Sequence, residues 1–405
     1  MRKQVACLIV LFVMIFSELS EASHARGKEP AARSQAATAL DPELTNYQYP
    51  FPVKFFEANT QGRKLQVDSY IREQMAKLHI PGAGVAVIIN GKVELMKGYG
   101  LANVERNVPV TSNTMFQIAS TTKPFTAMAI MMLAEDGKLS LDERAAKYLP
   151  WLPAIYSDVT LRQLLTHTSG VNRDVRTGNV DNFTLDEFKK RLALAPASFK
   201  PGERWEYANT GYILLGAIIE VISGESYGDF LTRRIFKPLG MNNTRYNETP
   251  GGSTTRAVGY DWLDGAFRQS PYFAGGYSAG ALVSSVADMA KWERALNAGK
   301  LLKQSSFEQI WSPVKLANGQ PRSFEFRGEQ AGYGFGWFLT SYKGHKLFTH
   351  GGVLSGFSAT INRFVEDKVT IIVLTNSKSG ADRIGYADVL ANGIASLYFS
   401  ASSAS

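Results

Sequence analysis

Apolar and polar positions change period several times along the chain. Val67 to Leu78 has helical spacing, and Pro81-Gly82 stops it. Ala83 to Ile89 is a β-branched apolar run, Asn90-Gly91 is a strong two-residue turn signal, and Lys92 to Gly100 returns as a hairpin partner. A run as continuous as Gly84 to Ile89 predicts a strand covered on both faces. From about residue 115 to 310 the spacing is mainly helical. One helix begins near Ser120, with Pro124 in its first turn, where a missing N–H matters least. It runs through Ala127 to Leu133 and ends at Gly137, and it is apolar all round, which predicts burial. Further helices are expected over Asp181–Leu194, Tyr212–Ser223 and Tyr227–Phe236. Ser285-Val-Ala-Asp288 has the form of a capping box opening a helix to about Asn297.

After residue 330 the period returns to two. Strands are expected over Tyr333–Leu339, Lys346–Thr349, Phe357–Phe364 and Val369–Thr375, the last two joined at Glu366-Asp367, and a helix over Ala381–Phe399. Strands therefore open and close the pattern, with helices between. The economical architecture is α/β (α+β): one antiparallel sheet assembled from both chain ends, flanked by helices, with a mainly helical insertion. The expected organisation is a leader at 1–25, an irregular lead at 26–62, a domain at 63–399 and a short tail at 400–405.

Composition narrows the class. The 405 residues are 45% hydrophobic and 20% charged, enough for a sizeable core. The formal charge of +8 is modest, and no basic run or basic–aromatic interleaving is present, which argues against nucleic-acid binding. Arg2 and Lys3 precede an apolar run from Val5 to Phe16, followed by small residues. This reads as a secretory signal, cleaved after Ala22 or Ala25, and implies a periplasmic or secreted protein with no stable membrane span after cleavage. The single cysteine, Cys7, lies inside that signal, which leaves no thiol for a nucleophile, a disulfide or a metal site.

Candidate chemistry centres on Ser120-Thr-Thr-Lys123. Residues three apart on a helix share a face. A serine hydroxyl needs a nearby base, and a lysine can serve if its surroundings strip its charge. Two more patterns follow. In Tyr207-Ala-Asn209, a tyrosine could relay a proton if cationic neighbours lowered its pKa, and an asparagine amide could hold a substrate carbonyl. In His350-Gly-Gly352, expected at a strand end, glycines allow close approach of a substrate backbone. Val353 could then offer its N–H to a developing oxyanion.

These three motifs, in this order, resemble the serine β-lactamase and penicillin-binding protein superfamily, in particular its class C-like branch of esterases, D-aminopeptidases and carboxypeptidases. Leu164-Leu-Thr-His-Thr-Ser-Gly170 and the stretch from Gly275 to Asp288 look like the same branch. The resemblance covers roughly residues 65 to 398. It implies that Ser120 attacks a carbonyl to form an acyl-enzyme, with Lys123 and Tyr207 sharing the proton traffic. It further implies that the N–H groups of Ser120 and Val353 hold the oxyanion, and that Asn209 orients the substrate. No metal or cofactor is implied, and the partner is a small-molecule or peptide ester or amide. Oligomeric state stays open. The departure is His350, where that superfamily usually carries lysine. A histidine, mostly neutral near pH 7, favours an esterase, amidase or peptidase over an efficient β-lactamase.

Two other patterns compete. Gly276-Tyr-Ser-Ala-Gly280 has the form of a nucleophile elbow around Ser278, but Arg268 to Ala274 is a poor strand to precede it. Glu293-Arg-Ala-Leu-Asn297 resembles a deacylation element, yet it sits in an amphipathic helix, where a glutamate is expected on a solvated face. His24 falls at the end of the signal, and His79 and His345 have no partner motif. His167 is expected to make structural hydrogen bonds.

Overall fold

The computed structural model describes residues 60–175, 184–246, 255–273, 275–378 and 385–399. The leader, most of the lead and the tail lie outside these residues. Thr60–Lys77 forms α1, which starts earlier than the apolar spacing marks. The hairpin follows as β1 (Gly82–Ile89) and β2 (Lys92–Asn103). Asn90 and Gly91 both adopt positive φ, 50° and 73°, as a two-residue turn between right-twisted strands requires. Short strands β3 (Val108–Pro109) and β4 (Phe116–Gln117) come next.

The helical part contains α2 (Lys123–Glu135), α3 (Leu161–Leu165), α4 (Leu185–Leu194), α5 (Asn209–Ser223) and α6 (Tyr227–Leu231). The last continues through a π turn to Leu239. Strand β5 (Arg245–Tyr246), the hairpin β6 (Tyr260–Leu263) and β7 (Ala266–Gln269), α7 (Tyr277–Gly280) and β8 (Leu282–Ser284) follow. Then come α8 (Val286–Asn297) and α9 (Gln304–Ile310). Ser285 caps α8 by accepting from Asp288 N–H, but the box is not closed: the Asp288 carboxylate instead takes bonds from Asn243, Thr244 and Lys291.

The chain closes with β9 (Phe324–Phe326), β10 (Glu329–Tyr333), β11 (Phe338–Tyr342), β12 (His345–Leu354), β13 (Phe357–Phe364), β14 (Val369–Thr375) and α10 (Tyr386–Tyr398). Nine strands form one antiparallel sheet in the order β3-β2-β1-β14-β13-β12-β11-β10-β9. The β1–β14 pairing, from Ala83↔Thr375 to Ile89↔Val369, joins the two halves of the chain. The unbroken apolar run of β1 is explained by its position. Val85 and Val87 face a cluster with α1 and α10, while Ala86 and Ile88 face the core beneath the helical part.

Two strand expectations need correction. Tyr333–Leu339 is not one strand but the bend from β10 to β11. Its glycines are demanded by packing: a Cβ on Gly334 would lie 2.1 Å from Ile310 O, and Gly336 has φ 78° against the start of α2. The strand expected to begin at Lys346 and to end at His350-Gly-Gly352 starts at His345 and runs on to Leu354 as β12. The helical part also carries a small sheet, β4-β8-β5, and the β6–β7 hairpin, both too short to show as periodicity.

Candidate active site

Strand β4 leads into a tight 3₁₀ turn, Ala119–Thr122, that runs straight into α2. Ala119 has φ 47°, a left-handed conformation that costs a residue with a Cβ, and the strain falls immediately before Ser120. In a 3₁₀ turn residues i and i+3 eclipse, so Lys123 is aligned over Ser120. Nζ of Lys123 lies 3.1 Å from Ser120 Oγ. It also donates to Asn209 Oδ1 at 2.9 Å and to the Ala279 carbonyl at 2.8 Å.

Lys123 is completely buried. Desolvation holds its amine well below the ordinary lysine range, opposed only by the negative charge of Asp174. Two carbonyl oxygens occupy two N–H bonds. The third direction, toward Ser120, can then be the lone pair of a neutral amine receiving the serine O–H. The ring of Tyr207 lies 4.8 Å from Nζ and that of Tyr212 5.5 Å.

Asn209 opens α5, and Tyr207 stands just before it. A proton relay by Tyr207 would be helped by cationic neighbours that lower its pKa. The opposite holds: burial raises it, and a bond with Ser120 only partly offsets this. Tyr207 is a neutral phenol beside the serine. Its segment is held by His167, whose Nδ1 accepts from Ala208 N–H at 3.2 Å and whose carbonyl accepts from Glu206 N–H. The His167 ring packs 4.4 Å from Tyr207 and 4.7 Å from Tyr333.

The third motif lies within β12, not at its end. Pairing with β11 stops at Phe338↔Thr349, whereas pairing with β13 continues to Leu354↔Phe357. The strand from His350 to Leu354 therefore has one edge free of β11, and the Ser120 turn packs beside it. A Cβ on Gly352 would lie 2.4 Å from Ile118 O and 2.7 Å from Ser120 N, so only glycine fits. The close approach that this glycine permits is made by the chain's own Ser120 turn. Val353, next in the strand, is 40% exposed at the rim.

His350 is buried. Its Nδ1 lies 2.7 Å from the Gly351 carbonyl, which can only accept, so Nδ1 carries the proton. Its Nε2, 3.2 Å from the Tyr333 hydroxyl, then accepts. Burial pushes its pKa down to about 3, helped by Lys123 and Arg327. The ring is neutral at every ordinary pH.

A cavity of about 430 Å³ opens onto Ser120, lined also by Asn209, Ala279, Phe273, Val353 and Asp174. Asp174 is the only charged residue among its described lining residues. Of the seven residues expected from the sequence, Ser120, Asn209 and Val353 line the cavity, Lys123 and Tyr207 lie beside Ser120, Gly352 packs on the Ser120 turn, and His350 is set back against Tyr333. Ala279, which holds the lysine, Gly336, which lets β10–β11 pass the start of α2, and Tyr333, which fixes His350, belong to none of the three motifs. Only the Gly275–Asp288 likeness hinted at the first.

The competing patterns lie elsewhere in the chemistry. Ser278 is fully buried and donates to the Tyr212 carbonyl at 2.8 Å, wedged against Gly216 of α5. Glu293 is not on a solvated face. It is buried and ion-paired with Arg363 at 2.7 Å, and it accepts from Thr370 and Asn297, tying α8 to the sheet. No cluster of His, Cys, Asp or Glu that could hold a metal occurs among the described residues, and no described helix is long and apolar enough to cross a membrane.

The family model described as Beta-lactamase matches residues 67–393. Protein flp of Staphylococcus aureus strain MW2 is 33% identical over 334 residues, covering 79% of this chain and 64% of that protein. The chain thus spans less than two thirds of that relative. Penicillin-binding protein 4* of Bacillus subtilis strain 168 is 32% identical, covering 76% of this chain and 71% of that one. Among solved structures, the octameric penicillin-binding protein homologue from Pyrococcus abyssi has a TM-score of 0.69 at 32% identity, covering 83% of this chain and 77% of its own. The D-amino acid amidase from Ochrobactrum anthropi SV3 complexed with D-phenylalanine has a TM-score of 0.73 at 26% identity, covering 83% and 98%.

Proposed function

The chain belongs to the beta-lactamase family, and from that premise we propose that it is an exported serine hydrolase that cleaves an ester or amide through an acyl-serine intermediate. The observation that carries the reading is the Ser120–Lys123 contact at 3.1 Å, with the lysine buried and its amine held below the ordinary range. Ser120 Oγ bonds to the substrate carbonyl carbon while its proton passes to Lys123 Nζ. The carbonyl oxygen, now negative, is received by the N–H groups of Ser120 and Val353. The bond to the leaving group breaks, and the departing alcohol or amine takes up the serine's former proton from Lys123, either directly or through the phenol of Tyr207, which Lys123 then reprotonates. Water then attacks the acyl carbon, the bond to Ser120 Oγ breaks, Oγ regains a proton from the water and the acyl group leaves as a carboxylic acid. Export rests on the apolar run from Val5 to Phe16 behind Arg2 and Lys3.

The neutral His350 and the absence of lysine or arginine among the described lining residues support a substrate that does not need a cation for a carboxylate. The Asp174 carboxylate favours, as a narrower reading, an amide carrying a free amino group, in line with the likeness to D-amino acid amidase. Turnover of short p-nitrophenyl esters, D-amino acid amides, D-Ala-D-Ala peptides and nitrocefin by the same preparation tests this. Ester or amino-acid amide turnover exceeding that of nitrocefin is expected. Rapid nitrocefin hydrolysis would overturn the preference, and acylation without release would make the chain a penicillin-binding sensor.

A further inference from the structure

At the end of the sheet away from Ser120 lies an open cleft of about 790 Å³, between the β1–β2 turn, the β13–β14 turn and the C-terminal part of α8. Ser358↔Thr375 marks the site end of the β13–β14 ladder and Phe364↔Val369 marks the cleft end, so roughly 20 Å of strand separates the two. Four cations line the cleft, Lys291, Arg294, Lys300 and Lys368, and no carboxylate does.

Lys291 is already engaged, with Asp288 at 2.8 Å and the Gly240 carbonyl. Arg294, Lys300 and Lys368 are exposed, and their side chains make no hydrogen bond or ion pair with the described residues. The nearby carboxylates are turned to other partners: Asp288 to Lys291, Glu293 to the buried Arg363, and Glu366 to Lys346 at 3.6 Å. The negative end of the α8 dipole suits Arg294 and Lys300. It does not explain Lys368, which reaches the cleft from the sheet side on a turn with φ 55°. Like charges brought to one concave surface repel one another unless an anion occupies it.

We propose that this cleft is a binding site for a phosphate-bearing ligand with two or more negative charges. The guanidinium of Arg294 suits two phosphate oxygens, and Lys300 and Lys368 add point charges. The proposal is independent of the chemistry at Ser120.

The test uses the full chain and the triple variant Arg294→Ser, Lys300→Ser, Lys368→Ser, whose exposed positions leave the fold intact. Tripolyphosphate is titrated by calorimetry, and vesicles with and without phosphatidylglycerol are sedimented with each protein. Saturable binding weakened about tenfold or more in the variant, and weakened again as salt rises from about 50 to about 200 mM, is expected. Binding of tripolyphosphate assigns a soluble ligand, whereas binding only to the anionic vesicles assigns a lipid headgroup. Labelling of Ser120 by a fluorophosphonate should proceed alike in both proteins. Failure of both probes to bind, or binding that the variant retains in full, would overturn the proposal.

Discussion

Oδ1 of Asn209 lies 2.9 Å from Nζ of Lys123, across 86 residues of sequence. Asn209, expected to orient the substrate, therefore also holds the Lys123 amine in place. A residue that only oriented substrate would move KM alone. Asn209→Ala is expected to lower kcat itself by about tenfold or more, because the amine loses one of its two fixed acceptors. Steady-state kinetics that change KM with kcat intact would show that Asn209 does not position Lys123.

Lys123→Met should reduce kcat/KM by roughly 10²- to 10⁴-fold, the usual contribution of a positioned base, with the fold retained. The pH profile follows from the direction of the shift. Burial lowers the amine pKa, so activity rises with pH through that lowered value and falls on the acid side as Lys123 takes up a proton. A profile with an acid limb in the wild type is expected, and the residual activity of Lys123→Met should lack it.

Gly352 and Gly351 are neighbours with different tolerances. A Cβ at 352 meets Ile118 O at 2.4 Å and Ser120 N at 2.7 Å, both backbone, whereas one at 351 meets only the Asp388 and Arg327 side chains at 3.2 Å and beyond. Gly352→Ala should push the strand from the nucleophile turn and cost about 10²-fold or more in kcat, as loss of an oxyanion donor does. Gly351→Ala should cost far less. Equal effects in the two variants would argue against a close-packed strand edge at Ser120.

Much of this was legible in the sequence, for physical reasons that differ by element. The β1 run and the all-round apolar α2 announce themselves because each is long and buried, and the Asn90-Gly91 turn because it takes two residues that tolerate positive φ. The Ser120, Tyr207 and His350 patterns point to one candidate site through their order along the chain, which resembles that of the family. What escaped was set by tertiary contact. Ala279 offers a carbonyl, which any residue could. Gly334 and Gly336 look like part of a strand until Ile310 and the start of α2 are placed against them. Glu293 has the periodicity of a surface glutamate, and only the arrival of Arg363 from β13 explains its burial.

His350 also bears on stability. Its pKa in the folded chain is about 3, against an ordinary 6.5, and that of His167 is lowered too, each chiefly by desolvation. The unfolded chain therefore binds more protons than the folded one between those values, so stability rises with pH across that window and is lost as pH falls below about 6.5. Each histidine contributes at most about 1.4 kcal/mol per pH unit. His350→Gln should make the loss between pH 7 and pH 5 shallower, measured by urea midpoints at the two values. An unchanged slope would mean that His350 is not held neutral by burial.

The most direct measurement is the site of covalent capture. Intact-mass spectrometry of the protein treated with a fluorophosphonate, followed by peptide mapping, should give one adduct, on Ser120, absent in Ser120→Ala and strongly slowed in Lys123→Met. An adduct on Ser278, or a folded protein that takes up no probe at all, would contradict the assignment of Ser120 as the nucleophile.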